Sequence, residues 1–244
     1  MTSTIKRSRI AVIAIAVIAT AGCGGGGASD PGPAPTPATV ILADGDQWQY
    51  SLTGSEVLGG TNFTLNGTET VVLTATTFNG APAFQITTTD DFMANDQHIV
   101  VSGIAYESQD PITNAVKLIA DTRGPGNSLR NVTNIQVVNR GTFGTGFTSK
   151  STITFDNGDT QTDGEIVQGH TFVTVPSGTY NTWQEQLTKN DTNRETSTNV
   201  LWVAPGVGRF VKANVNGAQP GFENHITLAL MSTNVTSSTP AVKQ

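Results

Sequence analysis

The sequence predicts an all-β fold: an antiparallel meander curled into a half-barrel or sandwich, with at most one short helix. Three observations carry that reading. Apolar and polar residues alternate with a period of two, the pattern of half-buried strands. Asn-Gly pairs, which suit two-residue hairpins, punctuate the alternating runs. Charged residues make up only 13% of the chain, and Thr, Asn, Gly and Gln supply most of its polarity, with Thr well suited to a pleated surface.

Taken in order, the first clear strand sets Trp48, Tyr50 and Leu52 against Gln47, Gln49 and Ser51. Val71, Leu73 and Ala75 share one face of the next, and Phe84, Ile86 and Thr88 one face of the strand after it. Asn79-Gly80 lies between those last two and predicts a type I′ turn, because both central positions need positive φ. Asn66-Gly67, Asn157-Gly158 and Asn216-Gly217 are read as hairpin signals of the same kind. Thr113 to Asp121 is the one helical candidate and fits a strand equally well. Ile226, Leu228 and Leu230 repeat the alternation near the end of the chain. The whole gives about a dozen candidate strands at hairpin spacing.

The N-terminus reads as an export signal. Lys6, Arg7 and Arg9 precede an apolar run from Ile10 to Ala19, closed by Thr20-Ala21-Gly22-Cys23. This order resembles the lipobox of bacterial lipoproteins, which implies cleavage before Cys23 and acylation of its thiol. A transmembrane helix is the first alternative, but the run is shorter than the roughly 20 residues a span needs. Ordinary secretion is the second, and it would leave a lone free thiol in an oxidising compartment. The domain reading is a signal peptide over 1–22 and a lipidated Cys23 with a flexible Gly/Pro-rich tether over 23–43. A single β-domain over 44–234 and a disordered tail over 235–244 complete it. By the same resemblance Gly24, where Asp would retain the protein in the inner membrane, favours an outer-membrane location in the cell envelope.

Three further stretches stand out: Gly45-Asp46-Gln47-Trp48-Gln49-Tyr50, Val173 to Tyr180 (Val-Thr-Val-Pro-Ser-Gly-Thr-Tyr), and Leu201 to Gly208 (Leu-Trp-Val-Ala-Pro-Gly-Val-Gly). Together they resemble a family of uncharacterised bacterial lipoprotein domains with Gly-x-x-Trp-x-Tyr, Val-Pro-x-Gly-Thr-Tyr/Phe and Trp-x-Ala-Pro-Gly-Val-Gly motifs. The resemblance implies a curled sheet like that of lipoprotein carriers and lipid-binding half-barrels, and it brings no established activity. In the motifs themselves Pro176 and Pro205 pre-set φ for a turn. Gly206 suits the positive φ of a type II turn and Gly178 the fourth place of a type I turn. These four are therefore read as fold determinants. Trp48, Tyr50, Trp183 and Trp202 are read as core aromatics or as the lining of an apolar ligand cleft.

A catalytic constellation does not emerge from the sequence. His98, His170 and His225 are isolated and lack zinc-ligand spacing, so no metal site is expected. Asp156-Asn157-Gly158-Asp159 lacks calcium-loop register, and Asp90-Asp91 and Asp96 are assigned to a solvated loop. The mature domain has neither a Gly-x-Ser-x-Gly elbow nor a Ser-x-x-Lys pair. Gly141 to Gly146 lacks the following helix and Lys-Ser/Thr of a phosphate loop. Loss of the three signal-peptide cations makes the chain still more acidic than its full-length −6, which excludes a nucleic-acid footprint and gives no overall attraction to anionic headgroups. The expected function is a non-enzymatic, membrane-anchored binding domain without a cofactor, for an apolar ligand or an envelope partner protein. An envelope hydrolase with an unrecognised site and a structural or surface-display lipoprotein are the alternatives.

Overall fold

A computed structural model describes residues 33–36, 40–112, 115–123, 128–141, 143–192 and 196–235. The strands are β1 (Gln47–Leu58), β2 (Thr61–Phe78), β3 (Ala81–Ala94), β4 (Gln97–Gln109), β5 (Val116–Asp121) and β6 (Arg130–Arg140). They continue with β7 (Thr148–Phe155), β8 (Thr160–Val175), β9 (Gly178–Asp191), β10 (Thr196–Val203), β11 (Phe210–Gln219) and β12 (Phe222–Thr233). Each pairs antiparallel with the next, and β12 returns to β1 to close a barrel. The all-β meander is as expected; the half-barrel or sandwich is not. Closure depends on the register Trp48↔Thr233 through Leu58↔Phe222, a pairing of the first strand with the last for which no local pattern exists. It also removes the two free edges that an open sheet would expose.

The helical candidate is a strand. Residues 116–121 form β5, with Leu118 and Ala120 buried, and no helix occurs among the described residues. Asn79 (φ +51°) and Gly80 (φ +81°) make the two-residue turn between β2 and β3. Two of the other Asn-Gly pairs are not turns. Asn66-Gly67 lies inside β2, where Gly67 lets Phe92 pack directly against the backbone; a Cβ there would collide with the Asp91 carbonyl oxygen. Asn216-Gly217 lies inside β11, and the Gly217 N–H donates to the Asn224 amide oxygen at 2.6 Å. Asn157-Gly158 does join β7 to β8, but only Gly158 takes positive φ.

The lumen is mostly apolar, with charged groups buried among its side chains, and the outer wall of the first strands is polar. Trp48, Leu52, Leu201 and Leu230 have no accessible surface, and Leu73 and Ile86 have 1%. These side chains are packed out of contact with solvent. Outward positions of the first strands are instead Gln47, Gln49, Ser51 and Thr53 on β1 and Thr64, Asn66, Thr68 and Thr70 on β2. A barrel that spans lipid has the reverse polarity, with an apolar outer band.

The chain enters at one end, here called proximal. It bears the turn at 79–80 and the loops at 110–115, 141–147, 176–177 and 204–209. The opposite, distal end bears the turns at 59–60, 95–96, 156–159 and 220–221. At the proximal end the long β8–β9 hairpin reaches across the barrel: the Ser177 N–H donates to the Leu230 carbonyl of β12 at 3.1 Å. Part of the stretch before β1 lies on the wall. The Pro33 carbonyl accepts from Asn181 Nδ2 and the Pro35 carbonyl from Trp183 Nε1, both at 3.0 Å.

Candidate functional site

The three sequence motifs converge at the proximal end. The Trp48 indole N–H donates to the Val207 carbonyl at 2.7 Å, and the Tyr50 hydroxyl donates to the Phe210 carbonyl at 3.0 Å. The Tyr50 and Phe210 rings stack with centroids 4.6 Å apart. Pro205 and Gly206 (φ +80°) occupy a turn closed by the Val207 N–H on the Ala204 carbonyl. Gly208 (φ +79°) then passes beneath Val40 and Trp48, where a Cβ would lie 3.0 Å from Val40 Cγ1 and 3.2 Å from Trp48 Cζ2. Pro176 and Ser177 form the β8–β9 turn ahead of Gly178, and the Tyr180 hydroxyl donates to Ser177 Oγ at 3.2 Å.

The four aromatics do not share a cleft. Trp48 and Tyr50 are in the lumen core, whereas Trp183 packs with Phe143, Phe147 and Val167 in a separate cluster. Trp202 is half-buried, with the Lys212 ammonium 5.0 Å from its ring centroid. The histidines also lie apart. His98 pairs with Asp91 at 2.6 Å, His225 with Asn216 at 2.8 Å, and His170 meets the Trp183 ring edge. Among the described residues no group of three or more His, Cys, Asp or Glu is placed to hold a metal ion. Cys23 lies outside the described residues.

The lumen carries charge that the sequence reading missed. Register sets Tyr50 opposite Glu69 and Glu69 opposite Asp90, all facing inward. Asp90 is therefore a buried strand residue and not part of a solvated loop. Burial pushes both carboxyls up; the Glu69 charge raises Asp90 further, while Arg209 opposes the rise at Glu69. Two carboxyls in such contact share a proton, since both cannot ionise cheaply. Burial also raises Glu107 to about 7, against the pull of Arg209. On the opposite wall burial raises Glu165 to about 7, and burial with the Glu165 charge raises Glu185 to about 8. One signal was available in the sequence. Glu69 is in phase with Val71 and Leu73, and Asp90 with Ile86 and Thr88, so both acids fall on the apolar face of their strands.

Toward the distal end a cation is enclosed. Arg130 has no accessible surface. Its Nε donates to Asp121 Oδ1 at 2.8 Å, its Nη2 to Asp191 Oδ2 at 2.6 Å and its Nη1 to Asp159 Oδ2 at 3.2 Å. The guanidinium carbon lies 3.8 Å from the centroid of the Phe155 ring. Burial alone would raise Asp121, but Arg123 and Arg130 more than offset it and hold the carboxyl below its usual range.

Just above this clamp the wall opens. β5 and β6 pair only at Ala120↔Asn131 and Asp121↔Arg130. Beyond those pairs, and among the described residues, Val116, Lys117 and Leu118 pair with β4 alone and the rest of β6 with β7 alone, so two strand edges diverge toward the proximal end. Val137 and Val138 on the free edge of β6 are 46% and 56% exposed. Such a seam presents strand edges without a ladder partner among the described residues, the feature by which an extended segment adds to a sheet.

No protein-family profile matches the sequence, and no curated protein does. Two solved structures are similar in outline. One, from Bacteroides fragilis, is described as an exported protein with a YmcC-like fold; it is 9% identical, with 81% of this chain and 99% of that one covered and a TM-score of 0.37. The other, from Parabacteroides distasonis, is described as a lipoprotein; it is 11% identical with the same coverage and a TM-score of 0.35. Scores at this level mark a loose likeness, and the site rests on this chain's own residues.

Proposed function

We propose that this chain is a lipid-anchored protein of the bacterial cell envelope, held in the outer membrane through acylated Cys23, whose barrel is a non-enzymatic binding domain. The ligand is an extended segment of an envelope partner protein that adds to β6 within the β5–β6 seam. The observation that carries the reading is the two-pair contact between β5 and β6, which leaves facing edges in an otherwise continuous wall. An apolar ligand in the lumen is less well supported, because Trp48, Leu52, Leu201 and Leu230 are buried out of solvent reach. A segment in the seam would form ladder bonds with β6 and turn alternate side chains toward Val132 and Ile135.

Photo-crosslinking in living cells tests this. A crosslinker at the exposed Gln136 of β6 is expected to yield an adduct of one defined mass, and one at the exposed Thr64 of β2 none. Absence of an adduct from Gln136, or equal labelling from both, would sink the reading.

A further inference from the structure

The full chain is acidic, but its exposed charges are not evenly spread. Lys117, Arg140 and Lys150 are all exposed at or near the proximal end. The acids at the same end accept backbone N–H donors: exposed Asp44 from Ala75 at 2.8 Å, buried Asp46 from Ala43 at 2.9 Å and half-buried Asp110 from Ile112 at 2.9 Å. Among the described residues exposed acids are more numerous distally, at Asp91, Asp96, Asp156 and Glu223, against Asp44 alone proximally. Exposed apolar side chains follow the cations. Ile41 (66% exposed), Ile112 (88%), Phe172 and Met231 are distributed around the proximal rim. Met93, Val100 and Leu129 are exposed at the distal end, but among acids.

The length of chain ahead of the barrel fixes what can meet this rim. Only Gly24 to Gly32 separate Cys23 from Pro33, whose carbonyl is bonded to Asn181 of the wall. Fully extended, those residues reach about 30 Å, no more than the height of a small domain. We infer that the proximal rim rests on the bilayer, with Ile41, Ile112, Phe172 and Met231 at the headgroup–acyl boundary and Lys117, Arg140 and Lys150 against anionic lipid headgroups. This rests on the reading that Cys23 is acylated. The acyl chains supply the affinity. The rim adds orientation, since cations near an anionic surface are attracted over about a Debye length. It also turns the wide end of the β5–β6 seam toward the membrane.

The test uses the acylated full protein in vesicles of equimolar phosphatidylethanolamine and phosphatidylglycerol. Acylation occupies the only native thiol, so Phe172→Cys, Met231→Cys and the distal Val100→Cys each accept a single environment-sensitive dye. The Phe172 and Met231 positions are expected to shift to the blue and to lose severalfold in acrylamide quenching on reconstitution, while Val100 stays as it is in detergent. Combining Lys117→Glu, Arg140→Glu and Lys150→Glu should restore quenching at the rim without releasing the protein. Vesicle-bound protein with rim and distal labels equally quenched would overturn the orientation and leave the anchor standing. Rim labels protected in detergent alone would point to self-association and also overturn it. Protein that fails to float with vesicles would overturn the anchor, and the orientation with it.

Discussion

Asp121 and Arg130 are register partners on β5 and β6 and also a 2.8 Å ion pair, and they make one of the two pairs by which those strands are joined. The clamp therefore holds the distal end of the two-pair contact, one residue below the Ala120↔Asn131 pair from which the seam opens. Removing one partner from a buried ion pair typically costs about 3–5 kcal/mol, because the other charge is left uncompensated. Arg130→Met is expected to lower stability by about that amount in denaturant unfolding. Arg130→Lys should lose most of it too, since a point charge cannot serve three carboxylates through a planar fork. A loss below about 1 kcal/mol, the scale of an exposed pair, would show that the clamp is not closed in solution.

Acid should undo the same clamp. Asp121 is held below its unfolded value, so its contribution is present above the unfolded pKa and is lost as pH falls through the folded one. In Arg130→Met the acid limb of the stability profile should flatten. An unchanged acid limb would mean that Asp121 is not the titrating group.

The lumen carboxylates act with the opposite sign. Glu107, Glu165 and Glu185 have folded values of about 7, 7 and 8, above the ordinary 4.5, because burial penalises their charge. The folded state then binds more protons than the unfolded one between those limits, and stability falls as pH rises from about 4.5 to 8. The thermal midpoint is expected to be higher at pH 5 than at pH 8. Glu185→Gln, which removes a charge while keeping the shape, should shrink that difference. A midpoint that climbs from pH 5 to pH 8 would contradict the burial of these groups.

Trp48 and Val207 test the motif contact. Trp48→Phe leaves the Val207 carbonyl without its 2.7 Å donor and should cost about 1–3 kcal/mol, the price of an unsatisfied buried polar group together with lost ring volume. Gly208→Ala should cost at least as much from the other side. It adds a methyl 3.0 Å from Val40 and 3.2 Å from Trp48 at φ +79°, a strain of about 1–3 kcal/mol. Gly206→Val strains the neighbouring turn in the same way, and Pro205→Ala should cost least, acting mainly on the unfolded chain. Should Gly206→Val leave the thermal midpoint in place, the Pro205–Gly206 turn is not a fold determinant.

What the sequence made legible is whatever repeats locally. Period-two alternation at Trp48–Leu52 and Ile226–Leu230 marks which residues face the lumen, and Asn79-Gly80 marks a turn. Non-local facts left no such trace. Asn66-Gly67 carries the same signal as Asn79-Gly80, yet Phe92 on the neighbouring strand decides that its glycine serves packing. Asp90 looks like half of a solvated pair until register sets it against Glu69. The seam was invisible for the same reason, because it consists of bonds that β5 and β6 do not make, and neither strand's composition announces them.

Pairing of β1 with β12 sets the order in which this molecule can come into being. Trp48 must wait for Thr233, nearly the last residue of the described chain, before its strand has both neighbours. Contacts this distant in sequence are slow to form. A ribosome or a translocation channel that has passed only the first eleven strands still holds a chain with two exposed edges and an unsealed core. On the proposed export across a membrane that delay is useful: the barrel cannot close until the last strand is through, and the step that would end competence for transport is the step that completes the fold.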